Sequence, residues 1–233
     1  MTAGREFSRQ ASLEVARARR SRTSPVDGWS HSPTAYERWA KPILDRLLGL
    51  GFSLLALPPM LVVACVIRIT MGRPLVLRQA RVGKDGKVFL LFKFRTMKPD
   101  RRYEQRDFNG PDRRQVHKSP NDPRLTPVGR FLRRWSLDEL PQFWNVLLGQ
   151  MSLVGPRPEM VEIVERHYAP WQHRRHAVKP GLTGLWQVSA RGDGLMHHNT
   201  RLDLEYLERI SFTTDMKILA LTLPAALGVR RGF

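Results

Sequence analysis

Cysteine is nearly missing from this 233-residue chain. Cys65 stands alone, so no intramolecular disulfide can form and a disulfide-stapled secreted domain is excluded. It lies in an apolar run, where a small buried thiol is expected. Acidic residues are also scarce: 21 Asp and Glu stand against 39 Lys and Arg, a formal charge of +18 with a pI of about 11.2. That imbalance asks for a polyanionic partner, whether nucleic acid, an anionic membrane face or phosphorylated substrates. The opening residues Met1 to Arg9 lack the continuous apolar stretch and small-residue cleavage site of a secretory leader, which places the working part in the cytoplasm. The histidines, His197-His198 included, show no metal-ligand spacing. The length suits one domain with an appendage.

Residues 1–40 are rich in Arg, Ser and Ala and read as a mobile basic arm. Residues 41–72 hold the strongest membrane signal, an almost uniformly apolar run from Ile43 to Ile69 bounded by Asp45-Arg46 and Arg68. About 25 residues at 1.5 Å each would cross a ~30 Å hydrocarbon core as one straight helix. Pro58-Pro59 argues against straightness, because the pair removes two donors and predicts a sharp bend or break close to Leu57. A re-entrant helical hairpin follows, with both ends on the cytoplasmic face and its flanking cations at anionic headgroups. A kinked spanning helix is the alternative.

Residues 73–233 form the expected cytoplasmic domain. Asp85-Gly86 between apolar runs predicts a β-hairpin. The stretch Phe92 to Met97 alternates as a strand, with Lys93 and Arg95 on one face. Residues 100–123 read as a loop insertion. Thr126-Pro127 has the cap and first-turn pattern of a helix reaching Arg134, and an apolar helical stripe from Leu140 to Leu148 ends near Gly149. The fold class is therefore α+β, mostly helical with a small β-hairpin, anchored by a re-entrant N-terminal helix and amphipathic surface helices.

Arg133-Arg134-Trp135-Ser136-Leu137-Asp138-Glu139-Leu140-Pro141-Gln142, followed by Ser152-Leu153-Val154-Gly155-Pro156-Arg157-Pro158-Glu159, sets adjacent carboxylates among arginines. One ionised carboxylate can attack phosphorus, its neighbour can hold a hard divalent cation, and guanidinium groups can clamp phosphoryl oxygens. Ser136 to Glu139 is also a capping box, with Ser136 capping a helix and Glu139 reaching back. Alternatively Asp138 is the cap, which leaves Pro141 in the first turn.

Together with Phe92-Lys93-Phe94-Arg95-Thr96-Met97 and Lys179-Pro180-Gly181-Leu182-Thr183-Gly184-Leu185-Trp186-Gln187-Val188, these motifs resemble the bacterial sugar transferase family, the monotopic polyprenyl-phosphate phosphoglycosyl transferases, over about Lys41 to Leu223. The resemblance implies transfer of a sugar-1-phosphate from a nucleotide diphosphate sugar, with a UDP-sugar expected, to undecaprenyl phosphate, opening exopolysaccharide, O-antigen or glycan assembly. By it Asp138 matches the nucleophile and Glu139 its acidic partner at an Mg²⁺ site that both carboxylates hold. Arg133, Arg157, Lys93 and Arg95 match the phosphate-binding cations. Gln187, Arg191 and Asp203 match later motifs that hold donor sugar or nucleotide. A homodimer and downstream glycosyltransferases are partners that the resemblance leaves open. The rival readings are a noncatalytic basic membrane protein, with the carboxylates only capping, and a nucleic-acid binder. The latter is disfavoured because the charge is spread along the chain without a reader motif, so no nucleic-acid partner is expected.

Overall fold

The computed structural model describes residues 30–98, 124–189 and 199–226. The basic arm up to residue 29, the whole 100–123 insertion and Arg191 lie outside the described residues.

A short π-helical segment, Tyr36–Ala40, runs into helix α1, Lys41–Thr70. The segment and α1 together are long and apolar enough to cross a membrane. The expected break near Leu57 does not interrupt α1, which contains Pro58 and Pro59 within one helical span. The prolines deprive the carbonyls of Leu54 and Leu55 of their usual donors, and the helix persists because both of its halves are held from the side. Asp45, Gly49, Ser53, Ala56, Val63 and Ile67 form one buried stripe at helical spacing. Gly49 lies against Val146, and the rings of Phe52 and Phe143 are 5.7 Å apart. Beyond the prolines, Val63 and Ile67 pack with Phe94 and Leu132. Leu57, Pro58 and Pro59, between the two contacts, are exposed. Cys65 is exposed rather than buried, because it falls on the outer face of the stripe's helix.

Strands β1 (Val76–Val82) and β2 (Val88–Phe94) form the predicted hairpin, pairing Val82 with Val88. Its turn is made by Asp85 and Gly86, both at positive φ. Sheet content exceeds a hairpin. Helix α2 (Pro127–Arg134), a 3-10 turn (Leu137–Glu139) and helix α3 (Gln142–Leu147) lead to β3 (Ser152–Val154) and β4 (Glu159–Met160). The last of these adds antiparallel to β1. After helix α4 (Val161–His167) and a 3-10 stretch (Pro170–Ala177), β5 (Gly181–Thr183) pairs in parallel with β3. Gly155 and Gly181 permit that pairing, because a Cβ on Gly181 would lie 2.1 Å from the Gly155 nitrogen. Helices α5 (Leu185–Ser189), α6 (Thr200–Glu208) and α7 (Phe212–Ala226) complete the described fold.

The main core joins Phe89, Leu91, Val146, Met151, Leu153, Tyr206 and Ile218. Asn145, fully buried, completes the outer edge of β2: its Oδ1 accepts from the Phe92 N–H at 3.0 Å and its Nδ2 donates to the Leu90 carbonyl at 2.7 Å. Two acids fasten α1 to this core. Asp45 Oδ1 accepts from Ser152 Oγ and the Leu153 N–H. Asp215, on α7, takes hydroxyl donations from Tyr36 and Tyr206 and pairs with Lys41.

Candidate active site

Helix α2 starts where the sequence predicts, with Thr126 Oγ1 accepting from the Gly129 N–H at 2.9 Å. It ends in the basic pair Arg133 and Arg134, and the chain then turns sharply through Ser136, at φ 53. Neither capping reading holds. Ser136 makes no side-chain cap, and Pro141 occupies the cap position of α3. The left-handed backbone at Ser136 takes the place of a cap, and Leu137 packs on the Phe94–Leu132 cluster beneath α1. Asp138 and Glu139 therefore sit on a tight turn braced by α1, α2 and β2.

Asp138 has 0 % relative exposure. Lys93, from β2, places its Nζ 2.8 Å from Asp138 Oδ2 and 3.8 Å from Glu139 Oε1. Asp138 Oδ1 has no hydrogen-bond partner. Arg157 reaches from the segment after β3 to donate from Nη2 to Glu139 Oε1 at 2.8 Å, and the Glu139 carboxylate holds that guanidinium above the ordinary arginine range. Two carboxylates and two cations thus alternate within ion-pairing distance. Such an array can hold a carboxylate ready in a low-dielectric setting while its neighbours meet phosphoryl oxygens.

The other predicted residues divide. Arg133 Nε donates to Thr96 Oγ1 at 3.1 Å, at the end of the β2 segment that carries Lys93. Arg95 points elsewhere: it donates to the carbonyls of Met97 and Arg73, a backbone-bracing arrangement in which burial lowers its pKa. Gln187 is buried on α5 with neither Oε1 nor Nε2 partnered, and its Oε1 lies 3.0 Å from where a Gly184 Cβ would stand, beside the Gly155 carbonyl. It is therefore next to the loop that carries Arg157.

Asp203 is not presented to a ligand. It is buried and pairs with Arg175 at 2.7 Å, and burial raises its pKa to about 6 against the pull of Arg175. Arg175, missed in the sequence, has less than 2 % of its surface exposed. Its Nη2 donates to the Arg157 carbonyl at 2.6 Å and its Nη1 to the Tyr168 hydroxyl. Asp203 thus holds Arg175, and Arg175 holds the backbone of Arg157. The signal for this pair is non-local, since the two lie 28 positions apart, and neither belongs to a pattern that marks them as partners.

Among the described residues, no group of three or more His, Cys, Asp or Glu is placed to hold a metal. Mg²⁺ typically takes one or two carboxylates and completes its shell with water and substrate phosphates, so Asp138 and Glu139 are the residues that would hold it. The buried Asp138 carboxylate, which makes no hydrogen bond, and the adjacent Glu139 supply oxygens of that kind.

Over residues 36–228 the chain matches the model of a family described as bacterial sugar transferase. The galactosyl transferase CpsE of Streptococcus agalactiae serotype III is 42 % identical over 159 residues, covering 67 % of this chain and 35 % of that protein. The uncharacterized sugar transferase EpsL of Bacillus subtilis is 40 % identical over 185 residues, 78 % of this chain and 86 % of its own. The UDP-glucose:undecaprenyl-phosphate glucose-1-phosphate transferase of Escherichia coli is 40 % identical over 193 residues, 80 % of this chain and 40 % of its own. The chain therefore spans most of EpsL but well under half of the other two.

Proposed function

Because the chain belongs to the bacterial sugar transferase family, we propose that it moves a sugar-1-phosphate from a nucleotide diphosphate sugar, UDP-linked by expectation, to a polyprenyl phosphate. The product would open exopolysaccharide, O-antigen or glycan assembly. The observation that carries this reading is the fully buried Asp138, ion-paired through Oδ2 to Lys93 and adjacent to a Glu139 clamped by Arg157. A noncatalytic role for these carboxylates as helix caps loses its support with the missing cap at Ser136.

In this proposal Asp138 Oδ1, the oxygen outside the Lys93 ion pair, attacks the phosphorus that bears the sugar. The bond from that phosphorus to the bridging oxygen breaks, and nucleoside monophosphate leaves with the electron pair. A phosphate oxygen of the lipid then attacks the phosphosugar on Asp138, which restores the carboxylate. Lys93 and Arg157 supply fixed positive charge to the oxygens on which negative charge develops. Asp138 and Glu139 would hold Mg²⁺, which when bound neutralises diphosphate charge. Arg175 and Asp203 act through the Arg157 backbone as positioning residues.

The same proposal places α1 as a re-entrant anchor on the cytoplasmic face. Both of its halves pack on one catalytic body, through Gly49 with Val146 and through Ile67 with the Phe94–Leu132 cluster, whereas a spanning helix would carry its ends to opposite sides. Leu47, Leu55, Leu61 and Ile69 on α1, with Trp144 on α3 and Leu148 just after it, are exposed apolar side chains suited to lipid. The Asp138 turn, braced under the second half of α1, would then meet a lipid-borne acceptor at the interface.

The test is to supply detergent-solubilised protein with Mg²⁺, undecaprenyl phosphate and a panel of UDP-sugars and to follow UMP release. Sugar-dependent UMP from the wild type and none from Asp138→Asn supports the reading. Folded wild-type protein that releases no nucleotide with any nucleotide sugar contradicts it.

A further inference from the structure

Away from the Asp138 turn, the π-helical segment, the first turns of α1, the β1–β2 turn and the 3-10 stretch enclose a cavity of about 710 Å³. It shares no lining residue with the Lys93, Asp138, Glu139 and Arg157 cluster. Its lining includes Lys84, Lys179 and His176. Among the described residues, Lys84 and Lys179 have no acidic partner within ion-pair distance. His176 is 8 % exposed, and neither ring nitrogen has a hydrogen-bond partner.

The acids on the same wall do not offset this charge fully. Lining cations outnumber lining acids five to three; Glu37 is engaged by His31 and the Thr34 N–H, while Asp45 accepts from the neutral Ser152 Oγ and Leu153 N–H. Asp85 lines the mouth beside Lys84. Cations crowd the other side: a point at the Cβ position of Gly149 lies 3.5 Å from Arg46 Nη2 and 3.7 Å from Lys179 Nζ. Burial, and then the neighbouring charge of Arg46, lower the Lys179 pKa against the opposing pull of Asp45, with smaller contributions from Lys84 and Lys41. Unpaired like charges gathered around an open cavity, with an imidazole on its wall whose ring nitrogens lack hydrogen-bond partners, are a receptor for an anion that also forms hydrogen bonds.

The setting narrows the source of that anion. Lys41, Pro42 and Asp45, in the cavity wall, belong to the first turns of α1, and Arg46 is followed on α1 by exposed Leu47 and Leu50. Gly149, between Arg46 and Lys179, follows exposed Leu148. The cavity wall therefore adjoins the apolar surface read above as membrane-facing, where cations meet headgroups. We propose that this cavity is a second, noncatalytic site that takes the phosphate headgroup of an anionic membrane phospholipid, held by Lys84 and Lys179 with His176 as a hydrogen-bonding wall. The proposal rests on the reading of α1 as a membrane anchor.

The experiment is flotation of the full chain with vesicles of phosphatidylcholine alone and of phosphatidylcholine mixed with phosphatidylglycerol. Wild type is expected to bind both and to gain affinity from phosphatidylglycerol. Lys84→Gln and Lys179→Gln should keep the binding to neutral vesicles but each lose about fivefold of that gain, the equivalent of about 1 kcal/mol per headgroup cation. Arg209→Gln, an exposed cation on α6's far end with its own Glu205 partner, should leave the gain intact. Lys84 lies on an exposed turn, so its variant should fold. An equal gain in wild type and Lys84→Gln, or an equal loss in Arg209→Gln, overturns the site. A Lys84-dependent thermal shift with glycerol 3-phosphate in detergent, without any vesicle gain, overturns the lipid assignment in favour of a soluble phosphate. The same holds for a gain from undecaprenyl phosphate alone. Failure to bind neutral vesicles would instead refute the anchor reading, which keeps the two failures distinct.

Discussion

Lys93 Nζ lies 2.8 Å from Oδ2 of Asp138, a carboxylate with no exposed surface. The two come from β2 and from the turn before α3, 45 positions apart, so the whole hairpin-to-turn packing is needed to bring them together. A buried carboxylate whose counter-charge is removed is left uncompensated, at a cost of about 3–5 kcal/mol. Lys93→Met is therefore expected to lower the urea midpoint and abolish transfer. Adding Asp138→Asn to it should recover much of the stability but none of the activity. Equal stability of wild type and Lys93→Met would show that the pair is not coupled as described.

Gly129 makes a second long-range demand. A Cβ there would stand 1.9 Å from the Thr96 carbonyl oxygen, so α2 can approach the end of β2 only with glycine. The same Thr96 accepts from Arg133 through its hydroxyl. Gly129→Ala should destabilise the protein by about 1–3 kcal/mol, as overpacking does, and should reduce turnover in the fraction that remains folded. Thermal melts with parallel UMP assays check both effects, and an unchanged melt would place α2 farther from β2 than described.

Much of the local structure was legible in the sequence. Asp85-Gly86 announced the hairpin, Thr126-Pro127 the start of α2, and Gly149 the end of α3, because each signal acts within a few residues. The Asp-Glu pair and Arg157 stood out for the same reason, as carboxylates and cations clustered in two short motifs. What was hidden depends on distant partners. The parallel pairing of β3 with β5 needs Gly155 against Gly181, and the edge bonds of Asn145 need β2 alongside. Arg95, read as a phosphate ligand from the family resemblance, turns to carbonyls of Arg73 and Met97, since a shared motif and a strand face do not fix a side chain's partner. Asp203 was read as a donor contact and is a buried mate of Arg175. Ser136 looked like a cap because its spacing to Glu139 is right, but its left-handed backbone removes the geometry that a cap requires.

His176 makes stability depend on pH. Burial, and next the adjacent Arg175 charge, push its pKa down to about 3, while an unfolded histidine titrates near 6.5. The folded state thus resists a proton that the unfolded state accepts: the contribution is complete above about pH 6.5 and is lost as pH falls toward 3. Between pH 6.5 and 5 this single group should remove about 2 kcal/mol. Urea titrations at the two pH values should show that loss in wild type and a smaller one in His176→Phe. Identical losses would assign the pH dependence to other groups.

The packing of both halves of α1 on one body predicts that its two ends share one side of the membrane. In sealed vesicles, an N-terminal tag and the C-terminus should be protected from external protease together or digested together. Protection of one end alone would establish a spanning helix.

The central claim is that Asp138 itself carries the phosphosugar. Incubating the protein with Mg²⁺ and its nucleotide sugar in the absence of polyprenyl phosphate, then weighing the intact chain, tests this directly. The account predicts a mass gain of one sugar-phosphate on the wild type, located by digestion to the peptide that holds Asp138, lost on adding polyprenyl phosphate and never formed by Asp138→Asn. Nucleotide release that requires the lipid acceptor, with no adduct on any residue, would contradict it and make the transfer a single direct displacement.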